Sequence, residues 1–307
     1  MKYGRGVLQK FWKFKNHLHR FFLNALPPQK YKTSYQHEHV ACVIVRNEAG
    51  ILEEWILFHL AAGIQYFVIW DDHSDDGSRE LLKPYEQAGL IEWRAFPYES
   101  FDVARQIKVY NHTINVFRNK AKWLWFLDSD EFVVPSQADS IPEIVREIEK
   151  DPAVGAITVN WLLFGTSDVE ALSPGEWHIE KLTQRAPNHW KNHRATKGAL
   201  RPEATARFMG QPHFPVLRKG RKLVYPNGKT FNDQYTHFDL LRVHHYWHRT
   251  ENFYRSRKIA RKEFLSGRSR NPKELQRHHK AYNQVFDDSI KRFIPKMKEI
   301  RKQILTN

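Results

Sequence analysis

Short runs of β-branched and aromatic residues alternate with helix-period segments through the first half of this chain. That alternation limits the possible folds more than any other feature. His39–Val45 (HVACVIV) predicts a buried strand. Asn47 or Glu48 then opens a helix with Ile51, Leu52, Trp55, Ile56, His59 and Leu60 on its inner face, and Gly63 closes it. Tyr66–Trp70 predicts a second strand, Ser78 to Gln87 a helix, and Ile91–Ala95 a third strand. Val103–Arg118 carries a helical pattern, and Trp123–Leu127 (WLWFL) predicts a fourth strand. Ile141–Lys150 follows as a helix and Val154–Val159 as another strand. Repeated strand–helix units of this kind build an α/β fold: a mainly parallel sheet covered by helices on both faces. Ligands of such sheets bind outside the carboxyl ends of the strands.

Composition removes several classes. With 307 residues, 41% apolar and 27% charged, the chain is globular and long enough to bury a large core. One cysteine, Cys42, excludes an intramolecular disulfide framework and a multi-cysteine zinc site. No run of 18 apolar residues occurs, so no spanning helix is expected. Lys10, Lys13, Lys15 and Arg20 interrupt the apolar residues at the N-terminus, which therefore does not read as a secretory signal.

The net charge of +15 is unevenly spread. Residues 1–39 carry +7, residues 40–241 carry −4 and residues 242–307 carry +12. The division suggests a basic N-terminal helix and linker over 1–38, a mildly acidic core domain from residue 39, and a basic helical tail reaching residue 307. Val7, Phe11, Phe14, Leu18, Phe21 and Ala25 fall at helical spacing with basic residues between them. Such a helix either lies on an anionic membrane or packs on the domain. Basic residues from Arg255 to Lys302 allow the same two readings.

Two acidic clusters follow predicted strands. Asp71-Asp72-His73-Ser74-Asp75-Asp76-Gly77 follows the second, and Asp128-Ser129-Asp130-Glu131 follows the fourth. Carboxylates crowded around Asp128 would repel one another without a cation, and an Asp-x-Asp pair in an extended turn can face one metal. Oxygen ligands suit Mg²⁺ or Mn²⁺, which also bridge diphosphate oxygens. Neither GxxxxGK[ST] nor GxGxxG occurs, so a P-loop enzyme and a dinucleotide-binding fold have no support.

Together these residues resemble the family 2-like glycosyltransferases of the GT-A fold, in the branch allied to family 92. The resemblance is carried by Val45-Arg46-Asn47-Glu48, Glu54-Trp55, His59, the Asp71–Gly77 loop and Trp125-Phe126-Leu127-Asp128-Ser129-Asp130-Glu131-Phe132. Gln106-Ile107-Lys108-Val109-Tyr110-Asn111, Asn160 to Ser167 and His245 to Thr250 extend it, so that it covers about residues 39–265. It implies a nucleotide-sugar donor, UDP-sugar favoured, and Mn²⁺ or Mg²⁺. Asp128 and Asp130 would hold the metal on the donor diphosphate, and His245 would complete the shell or contact phosphate. Asp71 or Asp72 would contact uracil or ribose, with Ser74 and Asp76 shaping the loop. Arg46 and Glu48 would lie near the nucleotide, together with Gln106 and Asn111 of the helix motif. Arg249 and Lys258 would neutralise the departing diphosphate. An inverting transfer needs a base. Asp168 is the candidate, although the family more often has Gly-His there, and Glu170, Glu176 and Glu180 are others.

The expected function is therefore metal-dependent transfer of a sugar to a hydroxyl of a glycan or glycolipid acceptor. The expected setting is cell-surface polysaccharide or lipopolysaccharide synthesis on the cytoplasmic face of a membrane. A nucleotidyltransferase would share the sheet and the acidic site, but would carry a Gly-rich basic loop where Arg46-Asn47-Glu48-Ala49 stands. A nucleic-acid-binding protein would explain the charge but not the acidic loops, which repel phosphate, so no nucleic-acid partner is expected.

Overall fold

The computed structural model describes residues 22–97, 103–259 and 271–306. The expected helix over Val7–Ala25 lies outside them except for its end, where residues 22–24 are helical. The strands of the main sheet are β1 (His37–Val45), β2 (Tyr66–Asp71), β3 (Ile91–Ala95), β4 (Ala121–Phe126), β5 (Glu131–Pro135), β6 (Val154–Leu163), β7 (Thr196–Leu200), β8 (Lys222–Val224) and β9 (Leu241–His245). Their order is β3-β2-β1-β4-β7-β6-β9-β5, with β8 also pairing β6. Strands β3, β2, β1 and β4 run parallel. Strand β7 is antiparallel to β4 and β6, and β5 is antiparallel to β9. The parallel half is the one the strand–helix alternation predicts. The antiparallel half comes from β5 and β7, which have no crossover helix to announce them.

Alternation along the parallel strands explains how the sheet is covered. Ala41, Val43 and Val45 of β1 point into one apolar cluster, and Val40 and Cys42 into the other. Phe67 and Ile69 of β2 oppose Val68 and Trp70 in the same way, as do Trp123 and Trp125 of β4 against Leu124 and Phe126. The first cluster receives α1 (Ala49–Ala61), α2 (Ser78–Gln87) and α4 (Ile141–Glu149). The second receives α3 (Val103–Phe117). Helix α1 is apolar almost all round and lies buried, with Leu57 and Phe58 inside as well as Ile51, Leu52, Trp55, Ile56 and His59, while Leu60 is half-buried.

Beyond the short α5 (His178–Lys181), the chain adds α6 (Pro272–Ala281) and α7 (Ile294–Thr306). The basic C-terminal segment is not a separate attachment. Met297 of α7 is fully buried in the first cluster, with Ile294, Ile300 and Ile304 against it. Lys296 Nζ donates to the Ala61 carbonyl at the end of α1 (2.8 Å), and Arg301 pairs with Glu53 (3.0 Å). The apolar stripe of α7 is what the charge count hid.

Candidate functional site

The acidic turn lies where the sheet changes direction, between the end of β4 and the start of β5. Three side chains of α1 build its surroundings. Trp55 Nε1–H donates to the Glu131 carbonyl (2.8 Å). His59 donates from Nδ1 to the Trp55 carbonyl (2.8 Å) and accepts at Nε2 from the Val133 N–H (3.2 Å). These two bonds require the neutral imidazole, and burial pushes the His59 pKa down to about 3. Glu54 accepts from the backbone N–H groups of His178 (2.9 Å) and Ile179 (2.8 Å) and from His178 Nδ1 (3.0 Å). The Glu-Trp…His pattern is thus the frame that fixes the acidic turn and the segment around residue 178.

Within the turn, Asp130 and His245 come together. Strand β9 pairs with β5 so that His245 stands opposite Glu131, and the Tyr246 N–H donates to the Asp130 carbonyl (2.8 Å). That register brings His245 Nε2 to 3.4 Å from the Asp130 carboxylate, and Lys258 Nζ lies 3.9 Å away. Burial alone would raise the Asp130 carboxyl; His245, Lys258 and Arg249 outweigh it and hold the group well below the usual carboxylate range. Trp161 packs its edge against His245, ring centroids 4.4 Å apart. Arg249, at positive φ, donates to Glu48 Oε2 (2.5 Å) and reaches Ser129 Oγ (3.5 Å). Its guanidinium covers Phe253, while the Lys258 ammonium sits over Trp247.

Asp128 takes a different partner. Lys197 of β7, almost completely buried, places its ammonium 2.9 Å from Asp128 and 3.5 Å from Glu131. The Asp128 side chain is 48% exposed. Glu131 is fully buried and accepts the Asp128 N–H at Oε2 (2.9 Å). Burial, aided by Asp128, pushes the Glu131 carboxyl well up against the opposing pull of Lys197. Of the three expected metal ligands, Asp130 and His245 lie together, while Asp128 pairs with Lys197. Among the described residues no group of three His, Cys, Asp or Glu side chains is placed to hold a metal ion.

The Asp-rich loop folds on itself against the start of α1. Asp71 Oδ1 accepts the Ser74 N–H (3.0 Å), and Ser74 Oγ accepts the Asn47 N–H (3.0 Å). Asn47 exchanges two bonds with Asp75 (2.8 and 2.9 Å). Asp76 accepts the Ala49 N–H of α1 (2.8 Å) and the Ser78 N–H of α2 (3.0 Å), so one carboxylate serves two helix N-termini. Asp72 pairs with the buried Arg105 (2.6 Å), whose guanidinium covers Phe96. Arg46 is exposed in the turn after β1.

The helix motif of α3 serves packing. Asn111 donates to the Phe208 carbonyl (3.1 Å) and accepts the Phe208 N–H (2.7 Å), which uses its amide to tie α3 to the strand Thr205–Phe208. Gln106 donates to Tyr110 Oη within its own helix (2.9 Å). The amides of Gln106 and Asn111, both expected near the nucleotide, thus have partners within the protein. Asp168 is exposed at positive φ and has no hydrogen bond or ion pair among the described residues. Lys197 and Arg105 escaped sequence reasoning, because each is one basic residue in an ordinary strand or helix until the fold sets an aspartate beside it.

Residues 37–291 match the family model of glycosyltransferase family 92. A rice protein, "Glycosyltransferase family 92 protein Os08g0121900", is 24% identical over 281 residues, covering 85% of this chain and 44% of the rice protein. The Arabidopsis thaliana "Galactan beta-1,4-galactosyltransferase GALS1" is 24% identical over 90% of this chain and 53% of its own. The chain thus spans about half the length of these relatives. Among solved structures, S. aureus TarS in complex with UDP is similar at 12% identity, over 54% of this chain and 47% of that one, with a TM-score of 0.37.

Proposed function

The chain belongs to glycosyltransferase family 92, and from that premise we propose that it transfers a sugar from a UDP-sugar to a hydroxyl of a glycan or glycolipid. The observation that carries the reading is the convergence on one buried, ionised carboxylate, Asp130, of His245, Arg249 and Lys258. A carboxylate with a cluster of cations beside it suits a site where a diphosphate must be held and then released. Arg249 and Lys258 would neutralise the departing diphosphate, each braced by an aromatic face. Asp72, held by Arg105, and Asp71 would meet the nucleoside at the end of β2. Asp128, half exposed, is open to the donor from the other side of the turn.

The donor set fits a cation delivered with the nucleotide. Mg²⁺ and Mn²⁺ sites on diphosphates use one or two protein ligands, with waters and phosphate oxygens completing the shell. Asp130 and His245 would be those ligands, and a cation there would stabilise charge on the leaving diphosphate. We assign an inverting course to the transfer, because a single displacement needs only a base and a leaving group. The galactan galactosyltransferase relative makes a galactosyl donor the first to test.

The basic ends would hold the enzyme on an anionic membrane surface at the cytoplasmic face, in polysaccharide or lipopolysaccharide synthesis. No helix among the described residues is long and apolar enough to cross a membrane. Anionic-liposome flotation with and without residues 1–38 tests the surface clause. The donor clause is tested by thermal shift with UDP-galactose, UDP-glucose and UDP-N-acetylglucosamine in Mn²⁺, since a bound ligand raises Tm by mass action. A Tm increase that disappears in Asp130→Asn is expected. No increase with any UDP-sugar would refute the reading.

A further inference from the structure

The buried pair Glu54 and His178 belongs to the frame described above but has no part yet in the proposed chemistry. Glu54 is 3% exposed and accepts three hydrogen bonds, all from His178 and Ile179. A carboxylate only accepts, so His178 Nδ1 must carry the hydrogen that fills the 3.0 Å gap. In the neutral imidazole the lone pair is then on Nε2. Nε2 has no hydrogen-bond partner among the described residues, and His178 lines a cleft of about 420 Å³ with Gly50, Ser173, Arg249, Thr250 and Phe253. Arg249, which lines the same cleft, also reaches Ser129 Oγ of the acidic turn. One cleft thus carries a cation suited to a departing diphosphate and an oriented imidazole with its basic nitrogen available.

We propose that His178 is the base of the transfer and Glu54 its positioning residue; the proposal rests on the UDP-sugar reading above. The acceptor hydroxyl oxygen attacks the anomeric carbon of the donor sugar, and the bond from that carbon to the diphosphate oxygen breaks. The diphosphate leaves with the bonding electron pair, and the hydroxyl proton passes to His178 Nε2. The imidazolium so formed is stabilised by the Glu54 carboxylate against Nδ1–H, and later returns its proton to solvent. Three features favour this base over Asp168. His178 is held by backbone and side-chain bonds at once, its tautomer is set by a buried carboxylate, and it shares a cleft with Arg249. Asp168 is exposed without a partner that would orient it.

The experiment uses water as the acceptor, so the natural acceptor need not be known. UDP release is followed from a UDP-sugar that raises the Tm of the wild-type chain, and the same sugar nucleotide is used for thermal shift on each variant. His178→Gln keeps a donor for Glu54 but has no proton-accepting ring nitrogen. Its UDP release should fall about 100-fold or more, the range of a lost general base, while the UDP-sugar still raises its Tm as in wild type. Glu54→Gln should lower kcat with KM for the UDP-sugar unchanged. If His178→Gln does not fold, His178→Ala with added imidazole replaces it, and at least tenfold recovery of UDP release is expected. His178→Gln turning over within threefold of wild type, or imidazole giving no recovery, would overturn the proposal and leave the donor reading standing. A wild-type chain that no UDP-sugar stabilises would instead bring down the donor reading, and the proposal with it.

Discussion

Lys197→Met removes the one ammonium that separates two carboxylates in the acidic turn. The wild-type geometry sets Lys197 Nζ 2.9 Å from Asp128 and 3.5 Å from Glu131, with Lys197 2% and Glu131 0% exposed. At an effective dielectric of about 20, these separations correspond to gross attractions of roughly 6 and 5 kcal/mol. Most of that is offset by the desolvation of the ammonium and of Glu131. Removing one partner leaves the desolvation of the other uncompensated, and such losses run to about 3–5 kcal/mol. An unfolding entropy of roughly 2.1 cal/mol/K per residue over 307 residues converts this to a fall in Tm of about 5–8 °C. Glu131 already has a raised pKa through burial, so it can take up a proton when Lys197 is gone, which sets the expected fall toward the lower end.

A second variant separates charge from packing. Lys197→Met with Glu131→Gln exchanges the buried pair for neutral groups of similar volume, a replacement that is often neutral or stabilising. The double variant should therefore regain most of the lost Tm in scanning calorimetry at pH 7. If the single variant loses under about 2 °C, Lys197 is not the compensating charge. If the double variant is no more stable than the single, the loss comes from packing around β7. Either result refutes the electrostatic account of the turn.

Gly165→Ala should cost about 2 kcal/mol or more in chemical denaturation, because its Cβ would run into the Asn283 side chain and the Tyr282 carbonyl. Asp76→Ala should cost about 1–2 kcal/mol, since one carboxylate caps both α1 and α2, and Asp76→Asn should recover part of it. Burial lowers the His59 pKa to about 3, against 6.5 in the unfolded chain. The unfolded state therefore binds the extra proton between those values, and stability present above pH 6.5 is lost as pH falls toward 3. In His59→Gln the slope of unfolding free energy between pH 6 and 4 should be shallower by about 1.4 kcal/mol per pH unit; an unchanged slope would show that His59 is not buried neutral. Arg249→Lys should weaken UDP-sugar stabilisation, because an ammonium cannot reproduce the planar guanidinium stacked over Phe253.

What the sequence made legible follows from the range of each interaction. The parallel half of the sheet and its helices could be read because apolar period is a local property, written within ten or so residues of each element. The acidic turn was legible for the same reason: Asp128 and Asp130 are two residues apart at a strand end. Its partners were not. Lys197 is 69 residues from Asp128 in sequence, and Arg249 is 201 residues from Glu48. No local pattern marks a lysine in Thr196-Lys197-Gly198 as the counter-charge of a distant aspartate; only the antiparallel pairing of β7 with β4 brings it there. The same reasoning separates Asn111 from Asp76. Both stood in quoted motifs, yet the Phe208 backbone occupies the amide of Asn111, while Asp76 holds the loop against two helix ends. A motif residue can recur because chemistry needs it or because the frame does, and hydrogen-bond partners distinguish the two. Glu54 belongs to the frame by its backbone bonds and to the proposed chemistry by its contact with His178. Substitution there should therefore disturb both stability and turnover, whereas His178→Gln should disturb turnover alone.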